Sequence, residues 1–110
     1  MKKKYLYGLY EVIKYYNNNI FKLLIVEGYS DVISLNNNNI NYSIAILGTS
    51  ITLEQIKIIF KNTNIIIFCY DGDKAGKKAS IKTLKLILNF ITDDKEVKFY
   101  FLIIIMIQII

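Results

Sequence analysis

Apolar and polar positions alternate along this chain in a way that separates it into helices and strands. Leu6, Leu9, Ile13 and Tyr16 recur at helical intervals, which predicts a short amphipathic helix over 5–16 that ends in the asparagines following it. The unbroken run Leu23-Leu24-Ile25-Val26, flanked by Lys22 and Glu27 and closed by Gly28, predicts a strand over 22–27 buried on both faces. Ser30 is placed to cap a weak helix over 31–37, and a second short strand over 43–47 stops at Gly48. Thr52-Leu53-Glu54-Gln55 has the form of a capping box, and Leu53, Ile56, Ile59 and Phe60 give the helix behind it an apolar stripe. A third strand is predicted over 65–70. The longest helix follows over 74–91, with Ile81, Leu84, Leu88 and Ile91 on one face and Lys74, Lys78, Lys82 and Lys85 on another. Val97, Phe99 and Phe101 alternate with Lys98 and Tyr100 in a fourth strand.

The resulting order is βαβαβαβ, and every link between strands exceeds the dozen or so residues that a right-handed parallel crossover needs. The expectation is a small doubly wound α/β domain, a parallel four-stranded sheet with flanking helices, for which the order 2-1-3-4 is the arrangement considered below. A length of 110 residues is room for one domain. The longest apolar run is too short for a membrane-spanning helix of roughly 20 residues, so no membrane partner is expected.

Composition narrows the chemistry. There is no histidine and only one cysteine, which excludes Ser-His-Asp and Cys-His machinery, a Cys/His zinc site and an internal disulfide. All 14 basic residues are lysine, isoleucine occurs 23 times, asparagine 11 times and proline never. These are amino acids of A/T-rich codons, so the net charge of +5 carries little weight as evidence for a nucleic-acid partner. Asn17-Asn18-Asn19 and Asn36-Asn37-Asn38-Asn39 read as drifted surface loops rather than aggregating low-complexity tracts. The lysines at 2–4 do not open a secretory signal, since Gly8, Glu11 and Lys14 interrupt the apolar region and no small-residue cleavage site follows; a cytoplasmic location is expected.

Ligands of an open parallel sheet bind beyond the carboxyl ends of its strands, where the strand order reverses. If the order is 2-1-3-4, Glu27 at the end of the first strand and Asp71 and Asp73 at the end of the third converge on one crevice. Carboxylates without imidazole or thiolate suit Mg²⁺ or Mn²⁺, and such a site points to phosphoryl or nucleotidyl transfer. Lys74 and the Lys78/Lys82 face would steer a polyanion, and Gly28, Gly72 and Gly76 would let backbone approach phosphate. The competing structural reading makes Asp73 a helix cap, Glu27 a polar strand end and the lysines a solvated face. Residues 66–71 imitate a Walker B strand and 72–77 a P-loop one residue short, with Lys78 where Ser or Thr is required; both fail in detail. Cys69 reads as core filling.

The segments Leu24-Ile25-Val26-Glu27-Gly28-Tyr29-Ser30-Asp31-Val32-Ile33, Leu47-Gly48-Thr49 and Tyr70-Asp71-Gly72-Asp73-Lys74-Ala75-Gly76 together resemble the TOPRIM domain of bacterial replicative DNA primases. The likeness runs from Leu6 to Leu102, with 1–21 as a helical lead-in, 22–102 as the domain and 103–110 as an apolar tail. It implies that Glu27, Asp71 and Asp73 bind magnesium, with Asp31 a further acidic residue of the site. It also implies a DNA-dependent RNA polymerase that makes primers on single-stranded DNA from nucleoside triphosphates. The zinc-binding and basic polymerase parts that precede this domain in such primases, and the helicase-binding region that follows it, are not in the sequence. The chain alone is therefore expected to be inactive, with complementary primase fragments as possible partners. A noncatalytic nucleic-acid-binding module is the alternative from a different class, and a topoisomerase or nuclease relative ranks last.

Past Leu102 the family continues with an acidic stretch ending like Asp-Pro-Asp, which completes the metal site, whereas this chain has Ile103-Ile104-Ile105-Met106-Ile107-Gln108-Ile109-Ile110. A frameshift is the hypothesis this departure supports. Met106 must be ATG and Ile107 must begin with AT, so a frame starting at the last base of the methionine codon reads GAT, aspartate. Codons ATC and CAG at Ile107 and Gln108 would continue it as proline and aspartate, and a nucleotide sequence incompatible with that reading removes its support. An uncovered isoleucine-rich segment also invites intermolecular pairing at the expense of solubility.

Overall fold

The computed structural model describes residues 5–48 and 50–101, so the expectations for 1–4, Thr49 and 102–110 lie outside the described residues. The elements are α1 (Leu9–Tyr15), β1 (Leu23–Val26), α2 (Tyr29–Asn37), β2 (Ser43–Ala45), α3 (Leu53–Asn62), β3 (Ile65–Tyr70), α4 (Lys74–Ile87) and β4 (Glu96–Phe101). The four strands form one sheet in the order β2-β1-β3-β4, every neighbouring pair parallel, as the crossover lengths predict.

Two apolar layers sandwich the sheet. On one face Leu23, Ile25, Ile44, Ile66 and Phe68 meet Val12 of α1, Ile56 and Ile59 of α3 and Ile87 of α4. On the other, Leu24, Val26, Ala45 and Cys69 meet Val32 and Leu35 of α2. All four residues of β1 are buried, which explains why its sequence is a continuous apolar run instead of an alternation. Phe68 has no exposed surface and stacks between Tyr70 and Phe99, with ring centroids 6.2 and 5.3 Å away.

α3 starts where its capping box requires. The Gln55 N–H donates to the Thr52 hydroxyl at 3.1 Å, and the Thr52 N–H donates to Gln55 Oε1 at 2.9 Å. Buried Gln55 also donates through Nε2 to the Tyr5 carbonyl at 2.8 Å, tying the incoming chain to this helix. Ile56 and Ile59 of the expected stripe are buried, while Leu53 and Phe60 are partly covered.

Other boundaries differ from the sequence reading. α1 begins only at Leu9, because Tyr7 leaves the helical path to exchange both backbone hydrogen bonds with Ala45 on the outer edge of β2. Gly8, at φ +87, makes the corner between that extended residue and the helix. α2 starts at Tyr29 with Gly28 as its cap residue and no side-chain cap, so Ser30 lies inside the helix. β2 ends at Ala45 and α4 at Ile87. The stripe Ile81, Leu84, Leu88 and Ile91 is exposed; α4 packs instead through Gly76, Thr83 and Ile87, with Ala79 and Leu86 beside them.

Truncating Phe68 to Ala should destabilise the domain by about 3–5 kcal/mol, read as a lower denaturant midpoint at unchanged slope. Burial pushes the Cys69 thiol up from 9.0 to about 12 and the Tyr70 hydroxyl up from 10.0 to about 12. Both groups are held neutral by the fold, so their contribution is complete below their ordinary values and is lost as pH rises toward 12. The denaturant midpoint should fall across that window. Tyr70→Phe should flatten part of the fall while costing about 1 kcal/mol at neutral pH through the lost Thr83 hydrogen bond.

Candidate functional site

Parallel pairing of β1 with β3 in the register Ile25↔Phe68 brings the carboxyl ends of these two strands level. Glu27 leaves β1 next to Asp71 leaving β3, and the Asp71 N–H donates to Glu27 Oε1 at 3.1 Å across 44 residues of sequence. Glu27 is half-buried. Loss of hydration is the main cause raising its pKa above the ordinary carboxylate value; the Asp71 backbone hydrogen bond opposes this, and the negative charges of Asp71 and Asp73 add to it. Asp31, in the first turn of α2, is also half-buried and raised, first by desolvation and then by the charge of Asp71, with a Gly28 backbone hydrogen bond acting against them.

Asp73 is the N-cap of α4: its Oδ1 accepts from the Gly76 N–H at 2.7 Å. Gly76 is buried, and a Cβ built on it would lie 1.9 Å from the Asp71 carbonyl oxygen. The first turn of α4 thus sits directly on the Asp71 backbone, at a distance that no side chain permits. Gly76 makes its close approach within the protein, with its N–H already engaged, so it is not free to approach phosphate as its spacing had suggested. Gly28 and Gly72 are partly exposed, and Lys74, Lys78, Lys82 and Lys85 are exposed. A second constraint borders Glu27: Leu47 adopts φ +51 and donates its N–H to the Glu27 carbonyl at 3.2 Å.

The four carboxylates do not form a ready-made cage. Among the described residues, no three acidic, histidine or cysteine side chains could together hold a metal ion. Glu27 and Asp71 are brought together by a hydrogen bond, while Asp31 and Asp73 stand within electrostatic reach. Of the three carboxylates expected to converge, both Asp71 and Asp73 act electrostatically on Glu27; one oxygen of Asp73 caps a helix and one of Glu27 accepts a backbone N–H. The remaining donors are hard oxygens, which fits a cation such as Mg²⁺ that keeps several waters and takes one or two carboxylates.

The sequence reading missed the anchoring of α4. The Tyr70 hydroxyl and Thr83 are hydrogen-bonded in the interior, and Thr83 also donates to the Ala79 carbonyl at 3.0 Å. Thr83 falling on the same helical face as Gly76 and Ile87 was the available signal.

Residues 22–101 match the family model of the Toprim domain. The chain belongs to the Toprim family. Over 101 residues, 92% of the chain, this Toprim domain is 56% identical to a DNA primase of Buchnera aphidicola subsp. Acyrthosiphon pisum and 46% identical to the DNA primase of Escherichia coli K12. It spans 17% of the length of each of those relatives. Among solved structures, a DnaG primase catalytic domain bound to single-stranded DNA is similar at TM-score 0.87 and 44% identity, and a DNA primase domain from Pseudomonas aeruginosa at 0.86 and 42%. Each match covers 92% of this Toprim domain's chain, and 32% and 31% of the respective neighbours.

Gly76→Ala should cost at least about 3 kcal/mol, because its neighbour is a backbone carbonyl that cannot swing aside. Gly72→Ala provides the comparison, and thermal melting of the two variants checks the difference.

Proposed function

We propose that this Toprim domain serves nucleotidyl transfer in primer synthesis, with Mg²⁺ or Mn²⁺ held at Glu27 and Asp71 and with Asp73 and Asp31 flanking it. The observation that carries this reading is the Glu27–Asp71 junction at the carboxyl ends of two adjacent parallel strands. When bound, the cation supplies charge stabilisation to the reacting phosphate. The protein's own part is positional. The Asp71 N–H orients the Glu27 carboxylate, and Asp73 and Gly76 hold the chain that presents Asp71. Lys74 and Lys78, in the first turns of α4, offer positive charge to a polyanion arriving at the crevice, and Gly28 and Gly72 leave room for phosphate.

Single-stranded DNA and nucleoside triphosphates are the proposed substrates, supported by the similarity to a DnaG catalytic domain bound to single-stranded DNA. Because the chain spans about a sixth of its primase relatives, we assign priming to this domain acting with the rest of a catalytic core.

Mn²⁺ titration followed by electron paramagnetic resonance should show binding that Asp71→Asn or Glu27→Gln weakens by about tenfold or more, a loss of about 1.4 kcal/mol. Undiminished binding in both variants sinks the proposed metal site. The chain alone should make no primers; mixed with the remaining parts of a related catalytic core it should do so in a metal-dependent way that Asp71→Ala abolishes. Salt-sensitive DNA binding that needs no metal and survives neutralisation of Glu27, Asp71 and Asp73 would favour a noncatalytic lysine-faced module instead.

A further inference from the structure

Away from the acidic junction, α1, α2 and the start of β2 border a cavity of about 510 Å³, inside the range of roughly 300–1,000 Å³ that small-molecule sites occupy. Ser43 lines it and stands beside Leu24 in the sheet. Leu24 precedes Glu27 by three positions, so this end of β2 lies about 10 Å down the strand axis from the junction.

Three tyrosines line the cavity, and each is anchored. The Tyr5 carbonyl accepts from Gln55 Nε2 at 2.8 Å. Tyr7 exchanges backbone hydrogen bonds of 2.9 and 3.0 Å with Ala45, and its ring centre lies 6.0 Å from that of Tyr29. The Tyr15 ring meets Tyr16 edge-on at 4.9 Å, and the Tyr16 hydroxyl donates to Asn41 Oδ1. Walls held in this way lose little freedom when a ligand arrives.

Charge selects the ligand. Among the described residues, Glu11 is the one charged side chain that lines the cavity, and it makes no ion pair. Ser43 is 2% exposed, and its hydroxyl has no hydrogen-bond partner. A buried hydroxyl left unpaired is costly, and an N–H donated to it would remove that cost. Tyrosine faces and a carboxylate both attract a cation, whereas an anion is repelled and a purely apolar guest leaves Ser43 unpaired. We propose that this cavity binds a small organic ammonium ion of the alkylamine class, its charge against the tyrosine rings and Glu11 and one N–H donated to the Ser43 hydroxyl. The site is independent of the nucleotidyl-transfer reading.

Titration of the full chain with butylammonium at millimolar concentration, followed by proton–nitrogen correlation spectra, should shift the Tyr7, Glu11 and Ser43 signals saturably. Glu11→Gln and Tyr15→Leu should each weaken binding about threefold. Ser43→Ala should weaken butylammonium about fivefold and leave tetramethylammonium, which has no N–H to donate, unchanged. Removing an unpaired hydroxyl should not lower the melting temperature, so this variant reads the contact alone. Glu27→Gln and Asp71→Asn should bind the amine as the parent does; a response lost in these two places the amine on the acidic junction and overturns the proposal. So does an absence of saturable shifts, a Ser43→Ala variant indifferent to the choice of cation, propionate binding as tightly as butylammonium, or a capped lysine binding more tightly than the free amine.

Discussion

The register between β1 and β3 governs everything at the carboxyl end of the sheet. Ile25 beside Phe68 sets Glu27 level with the exit of β3, and this allows the Asp71 N–H to reach the Glu27 carboxylate. A slip of one residue would reverse the faces on which the side chains of β3 lie, moving Phe68 out of one apolar layer and Cys69 out of the other. The same burial that fixes the sheet thus fixes the acidic junction. Hydrophobic register and electrostatic placement are one constraint here, with the carboxylates carried along by the packing of residues that have no chemistry of their own.

α4 is the second element on which that junction depends. Its first turn rests on the Asp71 backbone through Gly76, its cap is Asp73, and further along Thr83 meets Tyr70 in the interior. The first two attachments fall within and just after a single loop, and the third holds the body of α4 against β3. The loop therefore presents Asp71 from a rigid base, while the Asp71 side chain remains exposed to whatever enters the crevice.

Much of this was legible in the sequence because local chemistry and long-range packing agreed. The Thr52–Gln55 box and the bounds of β3 followed from residue patterns, and the parallel pairing of the strands from connection lengths. The errors have a common physical origin. Hydropathy registers large apolar side chains, so the stripe Ile81, Leu84 and Leu88 outweighed the face that α4 buries, which is built from Gly76, Ala79, Thr83 and Ile87. Leu6 kept helical spacing with α1, yet it is buried by an extended stretch whose Tyr7 pairs with Ala45, a contact no local pattern encodes. At the site, spacing located the acids and marked Asp73 as a helix cap, but not the hydrogen bond between Glu27 and Asp71, which joins residues 44 positions apart.

The two borders of the sheet are unequal. At β2, the two backbone hydrogen bonds between Tyr7 and Ala45, with the corner at Gly8 behind them, blunt the margin and turn the chain away from it. At β4, the described residues pair with β3 along six positions. With the β2 margin blunted in this way, the ladder groups of Ala45 are already engaged, so the sheet offers no free pairing there to an approaching strand.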